Sequence, residues 1–352
     1  MSRFFTKSLS GLQPYTPGEQ PQNRQYIKLN TNESPFPASP KAVQAITAEE
    51  VSRLCLYSDP DCKALIAAIA KRYGLQPQQV TVGNGSDEVL WFALRAFCDE
   101  QTPLIYNDIT YGCYSTWCSM LNVPSAVLPL QEDYSIDLNL YAGQKGTVII
   151  ANPNAPTGLC LTPEQIEGVL KADPDRVVIV DEAYVDFGGQ SCVDLLGKYD
   201  NLLVVQTCSK SRSLAGARLG FAMGHPDLIA DLNRIKFSFN PYNVNRLTCL
   251  AGIAAMEDED YFRACTGAVT ETREKTAAEL RRMGFELTDS KANFLFVRSS
   301  RISGGELYRL LREKGILVRH FAKPRLDDRL RITVGSEEQM EALLTALREL
   351  GA

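Results

Sequence analysis

The segment QTCSKSRSLAGARLG, residues 206–220, gathers a primary amine, a guanidinium and several hydroxyl groups in a short space. Lys210 directly follows the apolar run NLLVVQTCS, and Arg218 lies eight residues later. A lysine amine can form an imine with a carbonyl compound, and a guanidinium with nearby hydroxyls can hold a phosphate. Taken alone, Lys210 is also compatible with an ordinary solvated lysine, so the rest of the chain must decide.

Polar residues also follow three other apolar runs of the chain. VTV is followed by GNGSDE (83–88), VII by NPNAPTG (152–158), and VVIV by Asp181 and Tyr184. Loops at the carboxyl ends of parallel strands meet at one crevice of a doubly wound sheet. We therefore expect these groups to form one site together with Lys210 and Arg218. Each has a simpler reading by itself, since Asp181 could cap a helix and NPNAPTG could be only a turn.

The chemistry of these groups fits a particular kind of cofactor. GNGSDE runs directly into the helical pattern EVLWFALRAF, so its backbone N–H groups are suited to a phosphate. It is neither a Walker A loop nor a GxGxxG fingerprint, which argues against a nucleotide. A phosphate site, a lysine amine and a carboxylate at a buried strand end together predict pyridoxal phosphate, which has a phosphate, an aldehyde and a ring nitrogen.

The elements that must position these groups alternate along the chain. Seven short apolar runs between residues 80 and 224 are separated by helical patterns, which predicts an α/β fold with a mostly parallel seven-stranded sheet covered by helices. After Pro241 a long helical stretch, roughly 243–283, leads to a smaller α+β unit. We predict an extended, proline-rich arm (1–40), a large cofactor-binding domain (41–242) and a small C-terminal domain (243–352).

Composition limits the remaining classes of function. The net charge of −5 gives no reason to expect a nucleic-acid partner. The ten cysteines form no C-x-x-C pair and there are only two histidines, so we expect no metal site. The opening residues contain no apolar signal core and no run is long enough to span a membrane, which predicts a cytoplasmic protein without a membrane partner.

An ordered set of motifs extends over nearly the whole chain: LNTNESPF, YSDPD, GNGSDE, TYGCY, NPNAPTG, VDEAYVDF, SKSRSLAGARLGF and LRITVG. With these motifs the sequence resembles the fold-type I pyridoxal-phosphate aminotransferases, and among them the histidinol-phosphate aminotransferase family. The resemblance implies ping-pong transfer of an amine from histidinol phosphate to 2-oxoglutarate, a step of histidine biosynthesis. Threonine-phosphate decarboxylation and aromatic-amino-acid transamination on the same fold remain alternatives, and a non-catalytic cofactor-sensing regulator is disfavoured.

The resemblance also implies roles for individual residues of the cofactor site. Lys210 would hold the cofactor as a Schiff base, and Asp181 would pair with the ring nitrogen. Tyr184 would bond the ring hydroxyl, and Tyr111 would lie over the ring face. The phosphate would be held by Ser86 and Asp87 through their backbone, and by Thr207, Ser209 and Arg218.

Further residues are implied at the substrate end and between subunits. Tyr57 would reach the phosphate of a neighbouring subunit, which implies a homodimer with shared active sites. Arg331 would bind a substrate carboxylate, and Tyr15, Asn30 and Arg319 would line the substrate end. From the residues alone, Arg331 and Arg319 could instead be solvated strand positions.

One position departs from the family pattern. The family usually has asparagine before Pro-Thr-Gly, donating to the ring hydroxyl, and this chain has Ala155 there. Asn154 or Asn152 is expected to replace that hydrogen bond, unless Tyr184 acts alone.

Overall fold

In the computed structural model, which describes residues 2–352, thirteen strands form one large sheet and two small ones. The strands are β1 Ile27–Lys28, β2 Val80–Asn84, β3 Leu104–Asn107, β4 Ser125–Leu128, β5 Thr147–Ala151, β6 Val178–Asp181, β7 Leu202–Thr207, β8 Leu219–Gly224, β9 Glu286–Leu287, β10 Phe294–Arg298, β11 Ile316–Leu317, β12 Arg319–His320 and β13 Leu330–Thr333.

The large sheet has seven strands in the order β2-β8-β7-β6-β5-β3-β4. Strands β3 to β7 pair in parallel, whereas β8 runs antiparallel to both of its neighbours, β2 and β7. Six carboxyl ends and the amino end of β8 therefore lie at the same edge. The predicted seven-stranded, mostly parallel sheet is confirmed.

The strands are almost wholly apolar because both faces of the sheet are covered. Val148 and Ile150 of β5 enter the core on one face, while Ile149 between them enters the core on the other. Strand β6 repeats this alternation, with Ile179 on the side of Ile149. Burial on both faces explains why continuous apolar runs, rather than alternating ones, mark these strands in the sequence.

Helices cover the two faces and build most of the small domain. They are α1 Pro40–Ala45, α2 Ala48–Ser52, α3 Lys63–Tyr73, α4 Ser86–Phe97, α5 Cys113–Leu121, α6 Pro163–Ala172, α7 Pro226–Phe239, α8 Arg246–Glu257, α9 Glu259–Arg282, α10 Gly304–Glu313 and α11 Glu337–Leu350. Among residues 2–352, no helix combines the length and the apolar composition that a membrane span requires.

The small domain is built around a four-stranded antiparallel sheet, β12-β13-β10-β9, with α10 and α11 packed against it. The N-terminal arm is joined to it, because β1 pairs in parallel with β11. Leu29, which follows β1, is fully buried in the core of this domain. The arm is thus held in place along its second half.

The single long helical stretch predicted over 243–283 is wrong, because the helix is interrupted at Asp258. This residue leaves the helical conformation (φ −97°, ψ 65°), and its carboxylate binds Lys41 at 3.1 Å, in α1. Helix α8 before the break packs into the core of the large sheet, whereas the end of α9 packs into the small domain. The division into domains stays a prediction, and we propose to move its boundary from 243 to about residue 258.

The contact between β8 and α4 depends on a glycine. A Cβ atom on Gly220 would lie 2.1 Å from the backbone nitrogen of Ser86, the first residue of α4. We expect Gly220→Ala to lower the free energy of unfolding by about 1–3 kcal/mol, because backbone must move to admit the methyl group. Urea denaturation measures this.

Gly216→Ala is the matched control, since a Cβ on this exposed glycine would meet nothing within 4 Å. We expect it to change stability by less than about 0.5 kcal/mol. Equal unfolding curves for the two variants would contradict the close packing at Gly220.

Candidate active site

A cavity of about 220 Å³ lies at the edge of the large sheet where the six strands end. The N-terminal arm also contributes to its wall, through Pro17, Gly18 and Thr31 among others, and the small domain contributes Arg319 and Arg331. The residues predicted from the sequence that line it are Tyr15, Asn30, Ser86, Asp87, Tyr111, Asp181, Tyr184, Thr207, Ser209, Lys210, Arg218, Arg319 and Arg331.

Two predicted residues, Asn154 and Tyr57, lie outside this cavity. Asn154 donates through Nδ2 to the carbonyl of Ile109 at 2.9 Å and to the Thr157 hydroxyl at 3.1 Å, and it accepts from Thr110. The expectation that Asn154 contacts the cofactor is therefore corrected: its amide groups hold the loop together.

Asn152 does not replace it either. Its amide exchanges two hydrogen bonds with the backbone of Leu161, at 2.7 Å and 3.0 Å. Ala155 lines the cavity and packs with Ala292 and Phe294. The amide donor that the family has before Pro-Thr-Gly is thus not supplied from this loop.

The first turn of α4 forms an anion site. Gly85 precedes the helix with φ +86°, and no side chain within residues 2–352 caps it. The N–H groups of the first turn have no acceptor inside the helix, so those of Ser86 and Asp87 are free to bind an anion.

Arg218 completes the anion site from the opposite side. It directly precedes β8, whose antiparallel direction brings this residue to the edge where the other strands end. Its guanidinium donates to Ser209 Oγ at 3.2 Å and to the Asp87 carboxylate at 3.2 Å. A Cβ on Gly85 would lie 2.5 Å from Arg218 Nη2, so the guanidinium would have to shift if another residue stood there.

Asp181 ends β6 and is buried, 5% exposed. The hydroxyl of Tyr114, itself 0% exposed, donates to its Oδ2 at 2.6 Å, and the backbone N–H of Ala183 donates to Oδ1 at 3.3 Å. Burial raises the pKa of Asp181 to about 6, although the bond from Tyr114 opposes the rise. A buried carboxylate without a cationic partner is suited to a ligand that brings an N–H or a positive charge.

Lys210 lies across the cavity, in the turn after β7. Its Nζ donates to the carbonyl of Thr31, in the arm, at 3.2 Å. Burial, and next the charge of Arg331, lower the pKa of Lys210 to about 8. A sizeable part of the amine is therefore neutral, and nucleophilic, near physiological pH.

Aromatic rings close the cavity around these groups. Tyr111 donates to the Asp87 carboxylate at 3.0 Å and packs edge-on against Tyr114, with ring centroids 5.6 Å apart. Tyr15, from the arm, tilts over Tyr111 at 5.8 Å. Tyr184 also lines the cavity and packs edge-on against Phe294 at 5.1 Å. A flat ring would fit between such side chains.

Two arginines line the part of the cavity beside the arm. Arg331 donates to the carbonyl of Asn30 at 3.2 Å, and its Nε has no hydrogen-bond partner within residues 2–352. Arg319 donates to the carbonyls of Thr16 and Pro17, at 2.6 Å and 3.0 Å. Both arginines therefore face the cavity. The alternative interpretation of the sequence, that they are solvated positions of a strand, does not apply.

Segment 312–331 contains seven Lys and Arg residues against three acidic residues, and those other than Arg319 and Arg331 are mostly not part of the site. Arg312 pairs with Glu19, Lys314 with Glu349, Arg325 with Asp108 and Arg329 with Glu286. The cationic excess of this segment is thus largely neutralised by acidic residues elsewhere, and the anion-binding charge comes from Arg319 and Arg331.

Sequence reasoning missed two residues that hold the site in place, Tyr114 and Asn32. Tyr114 lies three residues after Tyr111, and the turn that begins α5 brings the two rings into contact. Asn32 belongs to LNTNESPF but donates to Tyr184 across 152 positions of sequence, at 2.9 Å. Only the fold brings those two residues into contact.

Together these groups can hold a flat, phosphorylated molecule with a carbonyl group. The α4 N-terminus and Arg218 suit its phosphate, Asp181 suits a basic ring nitrogen, and Lys210 suits the carbonyl. The fold and the site thus define an α/β protein with a desolvated lysine beside an anion site at the carboxyl edge of its sheet.

The comparisons with known proteins name the family. The family model described as "Aminotransferase class I and II" matches residues 24–347, and the chain belongs to this family. It is 51% identical over 354 aligned residues to histidinol-phosphate aminotransferase 2 of Dechloromonas aromatica, covering 99% of each chain. It is 48% identical to the histidinol-phosphate aminotransferase of Marinomonas sp., covering 99% of this chain and 100% of that one.

A solved structure shows the same fold. The histidinol-phosphate aminotransferase of Sinorhizobium meliloti, in complex with pyridoxal-5'-phosphate, superposes with a TM-score of 0.90. The superposition covers 100% of this chain and 98% of that one, at 24% identity. The predicted fold-type I architecture is therefore confirmed.

The hydrogen bond from Tyr114 generates a prediction about Asp181. Tyr114→Phe removes a donor that stabilises the ionised carboxylate, so the pKa of Asp181 should rise by about one unit from its value near 6. Carboxyl ¹³C NMR of the cofactor-free protein as a function of pH measures it. Tyr106→Phe is the control, since Tyr106 contacts the Tyr114 ring but has no bond to Asp181. An unchanged pKa in Tyr114→Phe would contradict the assignment.

Proposed function

We propose that this chain is a pyridoxal-phosphate aminotransferase that converts histidinol phosphate and 2-oxoglutarate into imidazole-acetol phosphate and glutamate, and the reverse, in histidine biosynthesis. The observation that carries the proposal is the placement of the Lys210 amine, with a lowered pKa, in one cavity with an anion site and a buried carboxylate. The relatives at 45–51% identity over nearly the full chain support the choice of substrate.

The residues present fit pyridoxal phosphate. Ser86, Asp87, Thr207, Ser209 and Arg218 would hold its phosphate. Asp181 would pair with its ring nitrogen, Tyr111 would cover its ring, and Tyr184 would bond its ring oxygen. When bound, the cofactor supplies an aldehyde that bonds amines and a ring that withdraws electrons from the carbon beside the amine.

Lys210 has two tasks in this proposal. Its neutral amine would hold the aldehyde of the cofactor covalently, and as a free amine it would move a proton at the substrate carbon. The lowered pKa suits both tasks, because the neutral form is the nucleophile and the base. Asp181, whose ionised form is favoured by the hydrogen bond from Tyr114, would pair with a protonated ring nitrogen, which strengthens electron withdrawal from that carbon.

Arg331 and Arg319 would bind the anionic ends of two unlike substrates in turn. Histidinol phosphate carries a phosphate and no carboxylate, whereas 2-oxoglutarate carries two carboxylates. The planar guanidinium fork matches both kinds of anion. Asn30 and Tyr15 would line the same end, and the arm that carries Tyr15 excludes water from it.

We propose a homodimer with shared active sites. Tyr57 is 79% exposed, lies outside the cavity of its own chain and stacks on Tyr242, with ring centroids 4.4 Å apart. Exposed apolar side chains are also frequent in the segment 43–56 that precedes Tyr57, and exposed apolar surface is typical of a protein interface. They include Val43, Ile46, Val51, Leu54 and Leu56.

We also propose a cytoplasmic location. All ten cysteines are free thiols, and seven of them are buried, as expected for a chain that folds in a reducing compartment.

A substrate comparison tests the proposed function. The unmodified protein should turn over histidinol phosphate with a higher kcat/KM than phenylalanine or threonine phosphate. Arg319→Ala should lower that value at least about 30-fold for histidinol phosphate, the size of a lost charged hydrogen-bond pair. Phenylalanine, which has no distal anion, should lose far less.

The informative quantity is the difference between the fall in kcat/KM for histidinol phosphate and the fall for phenylalanine. Arg319 also holds the backbone of the arm, so losing it should weaken turnover of both substrates to some common extent. A higher kcat/KM for phenylalanine or threonine phosphate in the unmodified protein would contradict the proposal, and release of carbon dioxide from threonine phosphate would favour the decarboxylase alternative.

Shared active sites predict complementation between two defective chains. Lys210→Ala removes the amine and Tyr57→Phe removes the hydroxyl that would reach the neighbouring site. In a mixed dimer both defects fall on one active site, and the other active site has neither. If half of the dimers are mixed, each with one intact site of two, mixing should restore about a quarter of normal activity.

The restoration is measured as the activity of the mixture after subunit exchange, compared with the activity of each variant alone. Tyr26→Phe replaces Tyr57→Phe in the control mixture, since Tyr26 lies on the arm beside Arg24. Subunit exchange is verified with a mass-tagged chain. Exchange without a gain in activity would rule out a shared site.

A further inference from the structure

Because Ala155 has no side-chain amide, its loop offers no hydrogen-bond donor to the ring oxygen of the proposed cofactor. The structure contains a group that can compensate for this missing donor. Tyr184 is the remaining candidate donor, since the amides of Asn152 and Asn154 are engaged elsewhere in their loop. Whether Tyr184 donates depends on the direction of its single hydroxyl hydrogen. The neighbours of this hydroxyl therefore decide what it presents to the cavity.

Asn32 is the hydrogen-bond partner of that hydroxyl. Its Nδ2 donates to Tyr184 Oη at 2.9 Å, and Asn32 itself is 1% exposed. An oxygen that accepts from an amide keeps its own hydrogen for another acceptor. The hydrogen of Tyr184 is thus available on the cavity side, where the cofactor would lie.

Thr333 fixes which end of the Asn32 amide faces Tyr184. The Thr333 hydroxyl accepts from the backbone N–H of Asn32 at 2.9 Å and donates to Asn32 Oδ1 at 3.0 Å. The Oδ1 atom is therefore occupied, and Nδ2 is left for Tyr184. The backbone of Asn32 is also held, because Asn293 donates to its carbonyl at 3.0 Å.

We propose that Asn32 is a positioning residue that turns the Tyr184 hydroxyl hydrogen towards the cofactor ring oxygen, and so compensates for the amide that Ala155 lacks. The three donors form a chain with one direction, from Thr333 through Asn32 to Tyr184. This inference rests on the proposed function, since it requires bound pyridoxal phosphate.

The charged and titratable groups around Tyr184 are Arg331, Asp181 and Tyr15, and none of them belongs to the chain of donors. A substitution at Asn32 therefore leaves them in place. The left-handed backbone of Asn32, with φ +55°, suits aspartate as well as asparagine, so Asn32→Asp changes the hydrogen bond with little steric change.

In Asn32→Asp, Tyr184 should donate to the new carboxylate and cease to donate to the ring oxygen. Donation to that oxygen stabilises the bound chromophore after it has lost its proton, so losing the donation should raise the pH midpoint of its visible absorbance change. We expect a rise of about one pH unit, which corresponds to a lost hydrogen bond to a charged oxygen.

A new carboxylate could also raise the midpoint by its charge alone, and Tyr184→Phe separates the two effects. If Asn32 acts through Tyr184, Asn32→Asp should shift the midpoint much less in the Tyr184→Phe background. An equal shift in both backgrounds would show a charge effect and overturn the proposal, as would the absence of any shift.

Asn293→Ala is the matched control for a purely structural effect. Asn293 is as buried as Asn32 and binds its backbone carbonyl, but not its side chain. We expect this variant to lower the Tm without moving the midpoint. An equal shift in this variant would overturn the proposal. If Asn32→Asp does not fold, Thr333→Val, which removes the orienting hydroxyl without adding charge, should give a smaller shift of the same sign.

The unmodified protein distinguishes failure of this inference from failure of the proposed function. Pyridoxal phosphate should give it a visible band that titrates, and borohydride should attach the cofactor to Lys210. If neither occurs, the proposed function and this inference fail together. If both occur and the variants titrate as the unmodified protein does, only the inference fails.

Discussion

The desolvation of charged groups in one cavity is the constraint on which the site depends. Asp181, Lys210 and Arg331 share this cavity, and their polar partners are a tyrosine hydroxyl and backbone groups. Burial raises the pKa of Asp181 to about 6 and lowers that of Lys210 to about 8. Both shifts mean that the folded chain disfavours the charged forms.

This arrangement costs stability in a defined pH range. The penalty at Asp181 is absent below its unfolded pKa, about 4, and complete above about 6. The penalty at Lys210 is complete below about 8 and disappears as the pH rises towards the unfolded value, about 10.4. Between about pH 6 and 8 the cofactor-free chain therefore carries both penalties, and a bound molecule that bonds the amine and pairs with the carboxylate would relieve them.

The rest of the fold can be understood as the support for this cavity. The two large cores on either face of the sheet fix the strand ends, and the antiparallel β8 adds Arg218 at the same edge. The arm and the small domain close the opposite side. Arg319 connects them through the carbonyls of Thr16 and Pro17, and β1 connects them through β11. The arm is also in direct contact with the site, since Lys210 donates to the carbonyl of Thr31.

The sequence by itself determined the fold class and most of the cavity wall. Continuous apolar runs predicted the parallel sheet because strands buried on both faces need no polar positions, and residues placed at strand ends had to converge there. The tertiary structure alone decided the rest. The helix breaks at Asp258, whose carboxylate meets Lys41 in a distant helix. The use of Asn154 within its loop, and of Asn32 on Tyr184, depends on contacts between segments that no spacing rule relates. Local patterns fix where a side chain starts, but an amide or hydroxyl group takes whichever partner the packed fold brings within about 3 Å.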